Sequence, residues 1–168
     1  QYTGKLLYEA GRAYNTEIND LLLCALAMAV KDWQGKERIG IELEGHGREQ
    51  LHEPLETDRT VGWFTNVYPV LLQAEPEIED CIIAVKEGLR RVPNKGMGYG
   101  LLASRGEIDK YRAEICFNYL GQAETDVAGA ITQSEYPAGE YISGRNKLPN
   151  GISINGSVAQ GRLELDVS

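Results

Sequence analysis

Six consecutive residues, Glu44-Gly45-His46-Gly47-Arg48-Glu49, bring together two carboxylates, an imidazole and a guanidinium around two glycines. Ionisable groups crowded at the end of a strand-like run suit acid–base chemistry or recognition. His46 tempts as a general base by residue type, but it reads first as structural, hydrogen-bonding within the turn. Arg48 fits a structural ion pair with a nearby acid, and Glu49 fits solvent or a pairing with Arg48. A metal site built from Glu44, His46, Glu49 and His52 is not expected, because the two histidines are six apart, outside His-Glu-x-x-His spacing. Gly96, Gly98 and Gly100 match neither the dinucleotide nor the P-loop pattern and follow a helix, which argues against a phosphate loop.

These groups need a scaffold, and hydrophobic periodicity supplies one. From Arg38 to Glu44, Ile39, Ile41 and Leu43 point one way and Gly40, Glu42 and Glu44 the other, so Glu44 ends a half-buried strand on its polar face. Before it, a short helix is predicted over Thr3 to Tyr14. A second, N-capped by Thr16, carries Ile18, Leu21, Leu22, Ala25, Leu26, Ala29 and Val30 and ends before Gly35. Val61 to Leu72 reads as a strand interrupted near Pro69, with Trp63 and Phe64 as core or interface aromatics and Asp58-Arg59 as a local pair. Glu77 to Arg91 reads as a helix with the stripe Ile78, Ile82, Val85 and Leu89, acids first and bases last, stopped by Pro93. A Gly-rich loop and a short helical piece near Leu101 follow.

Arg112 to Leu120 alternates again, Ala113, Ile115, Phe117 and Tyr119 opposing Glu114, Cys116 and Asn118. A loop as long as the polar stretch Gly121 to Asn150 is uncommon unless functional or mobile. Ile152 to Val158 and Arg162 to Val167 form a predicted hairpin around Gln160-Gly161. Helices mixed with strands give an α/β or α+β domain.

With 168 residues the chain is long enough for one domain with a real core. Its formal charge of −8 argues against nucleic acid as a partner, since phosphate neutralisation needs clustered Lys and Arg. No run of 18 apolar residues is present to span a membrane, and no signal-peptide pattern opens the chain. The start at Gln1 without Met points to a piece of something longer. Cys24, Cys81 and Cys116 are odd in number, far apart and set in apolar runs, which predicts buried free thiols in a reducing cytoplasm.

Five segments in order resemble the epimerization domains of nonribosomal peptide synthetases, within the condensation-domain superfamily. They are Ala13-Tyr14-Asn15-Thr16-Glu17-Ile18-Asn19-Asp20, Glu44 to Glu49, Asp58-Arg59-Thr60-Val61-Gly62-Trp63-Phe64-Thr65-Asn66-Val67-Tyr68-Pro69, Asn94-Lys95-Gly96-Met97-Gly98-Tyr99-Gly100 and Phe117-Asn118-Tyr119-Leu120-Gly121-Gln122. The resemblance implies a chloramphenicol acetyltransferase-like α/β fold, two lobes around a tunnel, of which residues 1–168 are the C-terminal lobe: a mixed sheet packed with helices. The family's His-His-x-x-x-Asp-Gly motif belongs to the N-terminal lobe, and no His-His pair occurs here.

The implied reaction inverts Cα of an aminoacyl or peptidyl thioester carried on the 4′-phosphopantetheine of a partner carrier domain. Cα is acidic because the thioester carbonyl delocalises the carbanion. Inversion takes a proton from one face and returns it to the other. By motif match Glu44 is one of the family's two proton-transfer groups, the other being a His of the absent lobe. A carboxylate doing this work benefits from a raised pKa, which burial in a closed tunnel supplies. Asn118 and Tyr119 match residues lining the tunnel. Asn118 would stabilise enolate charge and Tyr119 would donate a proton or position substrate. Strand alternation admits only one of them to the tunnel, and Asn118 shares the polar face. No cofactor or metal within the domain is implied. The implied partners are a peptidyl carrier domain, the N-terminal lobe and neighbouring synthetase modules. The alternatives are a peptide-bond-forming condensation lobe and an inactive docking or structural fragment. The Glu44 to Arg48 and Phe117 to Gly121 motifs favour epimerization over condensation.

Overall fold

The alternation in Arg38 to Glu44 becomes an interior strand of a sheet. In the computed structural model, which describes residues 2–49, 57, 59–122, 136, 139, 143–147 and 149–168, β1 runs Arg38–Gly45. It lies between β2 (Asn66–Gln73) and β3 (Ile115–Gln122), with β4 (Ile152–Ala159) and β5 (Arg162–Val167) beyond. The order is β2-β1-β3-β4-β5. β1 is antiparallel to β2 and parallel to β3, β3 is parallel to β4, and β4–β5 is an antiparallel hairpin. Gln160 and Gly161 both take positive φ in its turn, the geometry that matches the strand twist. The sheet is mixed and packed with helices, as expected.

The sheet face of Ile39, Ile41, Leu43, Val70, Leu72, Ile115 and Phe117 carries the core, closed by two helices. α2 (Ile18–Gln34) ends as predicted at Gly35, whose left-handed backbone returns its N–H to the Lys31 carbonyl. Its N-cap is Glu17, not Thr16. The Glu17 N–H donates to Asp20 Oδ2 at 2.9 Å, while Thr16 turns back onto the Gly11 carbonyl. Its buried side runs Leu22, Leu23, Cys24, Ala27 and Val30, whereas Ala25 and Ala29 are exposed. An alanine-rich helix does not declare which alanines face inward.

α3 (Ile78–Arg90) buries Cys81 and Val85, flanked by Ile82 and Leu89. Ile78 at its first turn is 53% exposed and does not belong to the stripe. The predicted N-terminal helix is divided into α1 (Tyr2–Tyr8) and a 3₁₀ turn at Ala10–Arg12. Asn15, at φ 50°, reverses the chain after them.

β2 begins later than predicted, so Val61 and Trp63 are outside it and exposed, Trp63 at 90%. It also runs unbroken through Pro69. As an edge strand it loses no ladder bond to the missing N–H. Pro93 starts a 3₁₀ turn, Pro93–Gly96, which leads to α4 (Tyr99–Ser104). All three cysteines are free. Cys24 and Cys81 are buried between α2 and α3, whereas Cys116 is half-buried on the opposite sheet face. Burial, aided by the Cys81 thiol, pushes Cys24 up to about 12. The segment predicted as a long loop after Gly121 lies largely outside the described residues, as do His52 and Asp58. No helix is long and apolar enough to cross a membrane, among the described residues.

Candidate active site on the polar face of the sheet

Because strand side chains alternate, the face away from α2 and α3 collects what the core rejects. Register sets Val67 opposite Glu44. The Leu43–Phe117 pair puts Asn118 beside Glu44, and Asn118 in turn pairs with Asn155, which pairs with Asp166. One row across five strands thus reads Val67, Glu44, Asn118, Asn155, Asp166. Within it, Asn118 Nδ2 donates to Glu44 Oε2 at 2.9 Å. Two of the three predicted site residues are therefore brought together by a bond between β1 and β3.

Tyr119 is not brought to them. It points to the other face, where it packs against the core. Burial, and after it the Tyr8 phenol, raise its hydroxyl above the ordinary range. The alternation of β3 persists there, so Tyr119 is separated from Glu44 by the thickness of the sheet.

One step back along β1, Glu42 accepts from Asn150 Nδ2 at 2.7 Å, and the same nitrogen donates to the Ala113 carbonyl at 2.9 Å. Glu42 also lines a cavity of about 360 Å³ with Val67, Tyr99, Lys110, Arg112 and Pro149. Tyr99 supports this wall by accepting the Tyr111 N–H at 2.8 Å, and the Tyr111 hydroxyl fills the space a side chain would need at Gly40. Cys116, the register partner of Glu42, is held protonated. Burial, then Glu44 and Glu42, push its thiol up to about 11.

In the turn after Glu44, His46 makes the expected hydrogen bond within the turn, whereas Arg48 and Glu49 take partners other than each other. His46 Nδ1 accepts the Arg48 N–H at 3.0 Å, and its Nε2 meets Glu49 Oε1 at 2.9 Å. Glu49 also meets Lys95 Nζ at 3.3 Å, so its partners are His46 and Lys95, not Arg48. Arg48 forms no ion pair with an acid among the described residues. It donates to the carbonyls of Thr57 and Thr60 and lies 4.1 Å above the Phe64 ring. Gly47 has φ +66°, and a Cβ there would collide with the Phe64 carbonyl oxygen. Gly96, φ +77°, packs as closely beneath the Tyr68 ring. Two glycines thus let the 45–49 turn close on Phe64, just before β2, and the 94–96 turn close on Tyr68 of β2.

Among the described residues, no group of three or more His, Cys, Asp or Glu is arranged to hold a metal ion. Sequence reasoning missed Glu42–Asn150 and the position of Asn155. The alternation of β1 already placed Glu42 beside Glu44, but the partners depend on strand order.

A mixed five-stranded sheet backed by helices is the fold this chain shares with solved condensation and epimerization domains. The condensation-domain family profile matches residues 1–168, and the chain belongs to that family. It is 44% identical over 168 residues to bacitracin synthase 3 of Bacillus licheniformis, covering 96% of this chain and 3% of that protein. It is 43% identical over 191 residues to gramicidin S synthase 1 of Brevibacillus brevis, covering 99% of this chain and 17% of that protein. The chain therefore spans a small part of these relatives. Among solved structures, the epimerization domain from the third module of tyrocidine synthetase B superposes with a TM-score of 0.89 at 40% identity, over 98% of this chain and 39% of that one. The first condensation domain of the CDA synthetase shares the fold, with a TM-score of 0.69 at 13% identity, over 99% of this chain and 37% of that one.

Proposed function

We propose that residues 1–168 are the C-terminal lobe of an epimerization domain in a nonribosomal peptide synthetase. In this reading the domain inverts Cα of an aminoacyl or peptidyl thioester tethered to a carrier domain, and Glu44 is one of its two proton-transfer groups. The observation that carries the reading is the Asn118–Glu44 hydrogen bond on the sheet face that the core helices leave free. Likeness to a solved epimerization domain at 40% identity supports it.

The step begins with loss of a proton from Cα to a base on one side. The C–H electron pair moves into the thioester carbonyl to give an enolate. A proton from the group on the opposite side restores the carbonyl with inverted Cα, so no oxidant or reductant is needed. Glu44 serves one side, and Asn118 positions it by donating to one carboxylate oxygen, leaving the other free for the proton. The second side falls to a His of the N-terminal lobe. The carrier domain, that lobe and neighbouring modules are the partners, a reading supported by the length of the relatives. The phosphopantetheine arm belongs to the carrier and enters with the substrate.

Peptide-bond formation is the second reading, supported by the family match itself. One experiment separates the two. In the full-length synthetase with its carrier loaded with L-aminoacyl thioester in D₂O, inversion incorporates deuterium at Cα and yields D-isomer without any acceptor. Glu44→Gln should slow this uptake by about a hundredfold or more, the range of a lost general acid–base. Near-normal uptake in the variant removes Glu44 from the role. Peptide formation by the wild type without Cα exchange favours condensation.

A further inference from the structure

We infer that Asn155 is a second amide of the site, placed to donate a hydrogen bond to the thioester carbonyl oxygen as it becomes an enolate oxygen. The inference rests on the inversion reading above and adds a residue to it.

Position comes first. Asn155 on β4 is the register partner of Asn118 on β3, so both share the sheet face of Glu44. Adjacent strands lie about 4.8 Å apart, which sets the Glu44 and Asn155 backbones about 10 Å from each other. A planar thioester laid over Asn118, which stands between them, would span that distance and reach both side chains. The Asn118 bond ties the Glu44 carboxylate to β3, the strand next to β4. A substrate offering its Cα–H to Glu44 would then turn its carbonyl to the β4 side.

Occupancy comes second. An Asn side chain has two N–H donors and one acceptor. Asn118 commits a donor to Glu44, and Asn150 commits its own to Glu42 and Ala113. Asn155 is half-buried, yet its side chain has no hydrogen-bond partner among the described residues. Within the row, Asn155 is the amide left with both donors uncommitted, and its cross-strand neighbour Asp166 does not engage it.

Chemistry comes third. When the proton leaves Cα, negative charge grows on the carbonyl oxygen two bonds away. A fixed N–H aimed there stabilises the transition state more than the ground state. Asn155 neither gains nor loses a proton in the step. Its hydrogen bond shortens as charge builds and relaxes when Cα is reprotonated.

The test compares Asn155→Ala and Asn155→Asp with wild type in the full-length synthetase, reading single-turnover deuterium uptake at Cα of the carrier-bound thioester. Loss of the donor should slow uptake at least about tenfold in Asn155→Ala. The isosteric Asn155→Asp, which sets an acceptor against the enolate, should be slower still. A packing role gives the reverse order, because Asp fills the same volume. Rates within twofold of wild type, or Asn155→Asp faster than Asn155→Ala, overturn the inference. Thermal melts are followed in parallel, and loss of the cooperative transition in Asn155→Asp would assign Asn155 to folding and overturn it too. Absence of exchange in the wild type defeats the inversion reading itself, and the Asn155 role with it. Normal wild-type exchange with insensitive Asn155 variants defeats only the latter.

Discussion

At the scale of single residues, the polar face behaves as one electrostatic unit. Cys116 reports on it, because its thiol lies beside Glu42 and is pushed to about 11 by burial, then Glu44 and Glu42. A thiol at that value is almost wholly protonated near neutral pH. Alkylation of Cys116 by iodoacetamide at about pH 8 should be roughly a hundredfold slower than that of a free cysteine. The rate should climb about tenfold per pH unit up to about pH 10, because thiolate is the reactive form. Glu44→Gln should speed it by removing one negative neighbour. A plateau below about pH 9, measured by mass spectrometry of the tryptic peptide, would show that the carboxylates do not act on this face as described.

At the scale of elements, what was legible in the sequence is what local pattern encodes. The alternation of β1 places Glu44 on its face correctly, and helical spacing, with Gly35 after α2 and terminal charges on α3, sets the bounds of both helices to within a residue or two, though not every inward-facing position. Other features depend on contacts far apart in the chain. β1 and β3 pair in parallel although about seventy residues separate them, and no turn signal announces such a pairing. That is why Asn118 was legible as a polar-face residue but Asn155, its neighbour through a second parallel pairing, was not. Arg48 was misread for a related reason. Its partners are two loop carbonyls and the Phe64 ring, none of which carries a charge to be matched. The 45–49 turn is nonetheless specified by sequence at Gly47. Left-handed backbone costs about 1–2 kcal/mol for a residue with a Cβ, and here the Cβ would also meet the Phe64 carbonyl. Gly47→Ala should therefore displace the end of β1. In the full-length synthetase it should cut Cα deuterium uptake at least about tenfold while the melting midpoint falls only a few degrees. Unchanged uptake would show that the turn does not position Glu44.

At the scale of the whole molecule, the groups proposed to react stand on one side of the sheet only. Inversion needs a donor and an acceptor of protons on opposite faces of a planar carbon. Glu44, Asn118 and Asn155 all rise from the same sheet face. The sequence has two histidines, His46 and His52, and His46 is already engaged by Arg48 and Glu49. The 98% overlap of this chain with 39% of a solved epimerization domain fits the same division. The chain on its own should consequently leave a carrier-bound L-aminoacyl thioester unchanged. Chiral chromatography of the released acid checks this, with the full-length synthetase as the positive control. Addition of a separately produced N-terminal lobe carrying the His-His motif should restore D-isomer, and that restored activity should fall again with Glu44→Gln. Efficient D-isomer formation by the isolated chain would mean that both proton-transfer groups lie within residues 1–168, and the two-sided model would have to be abandoned.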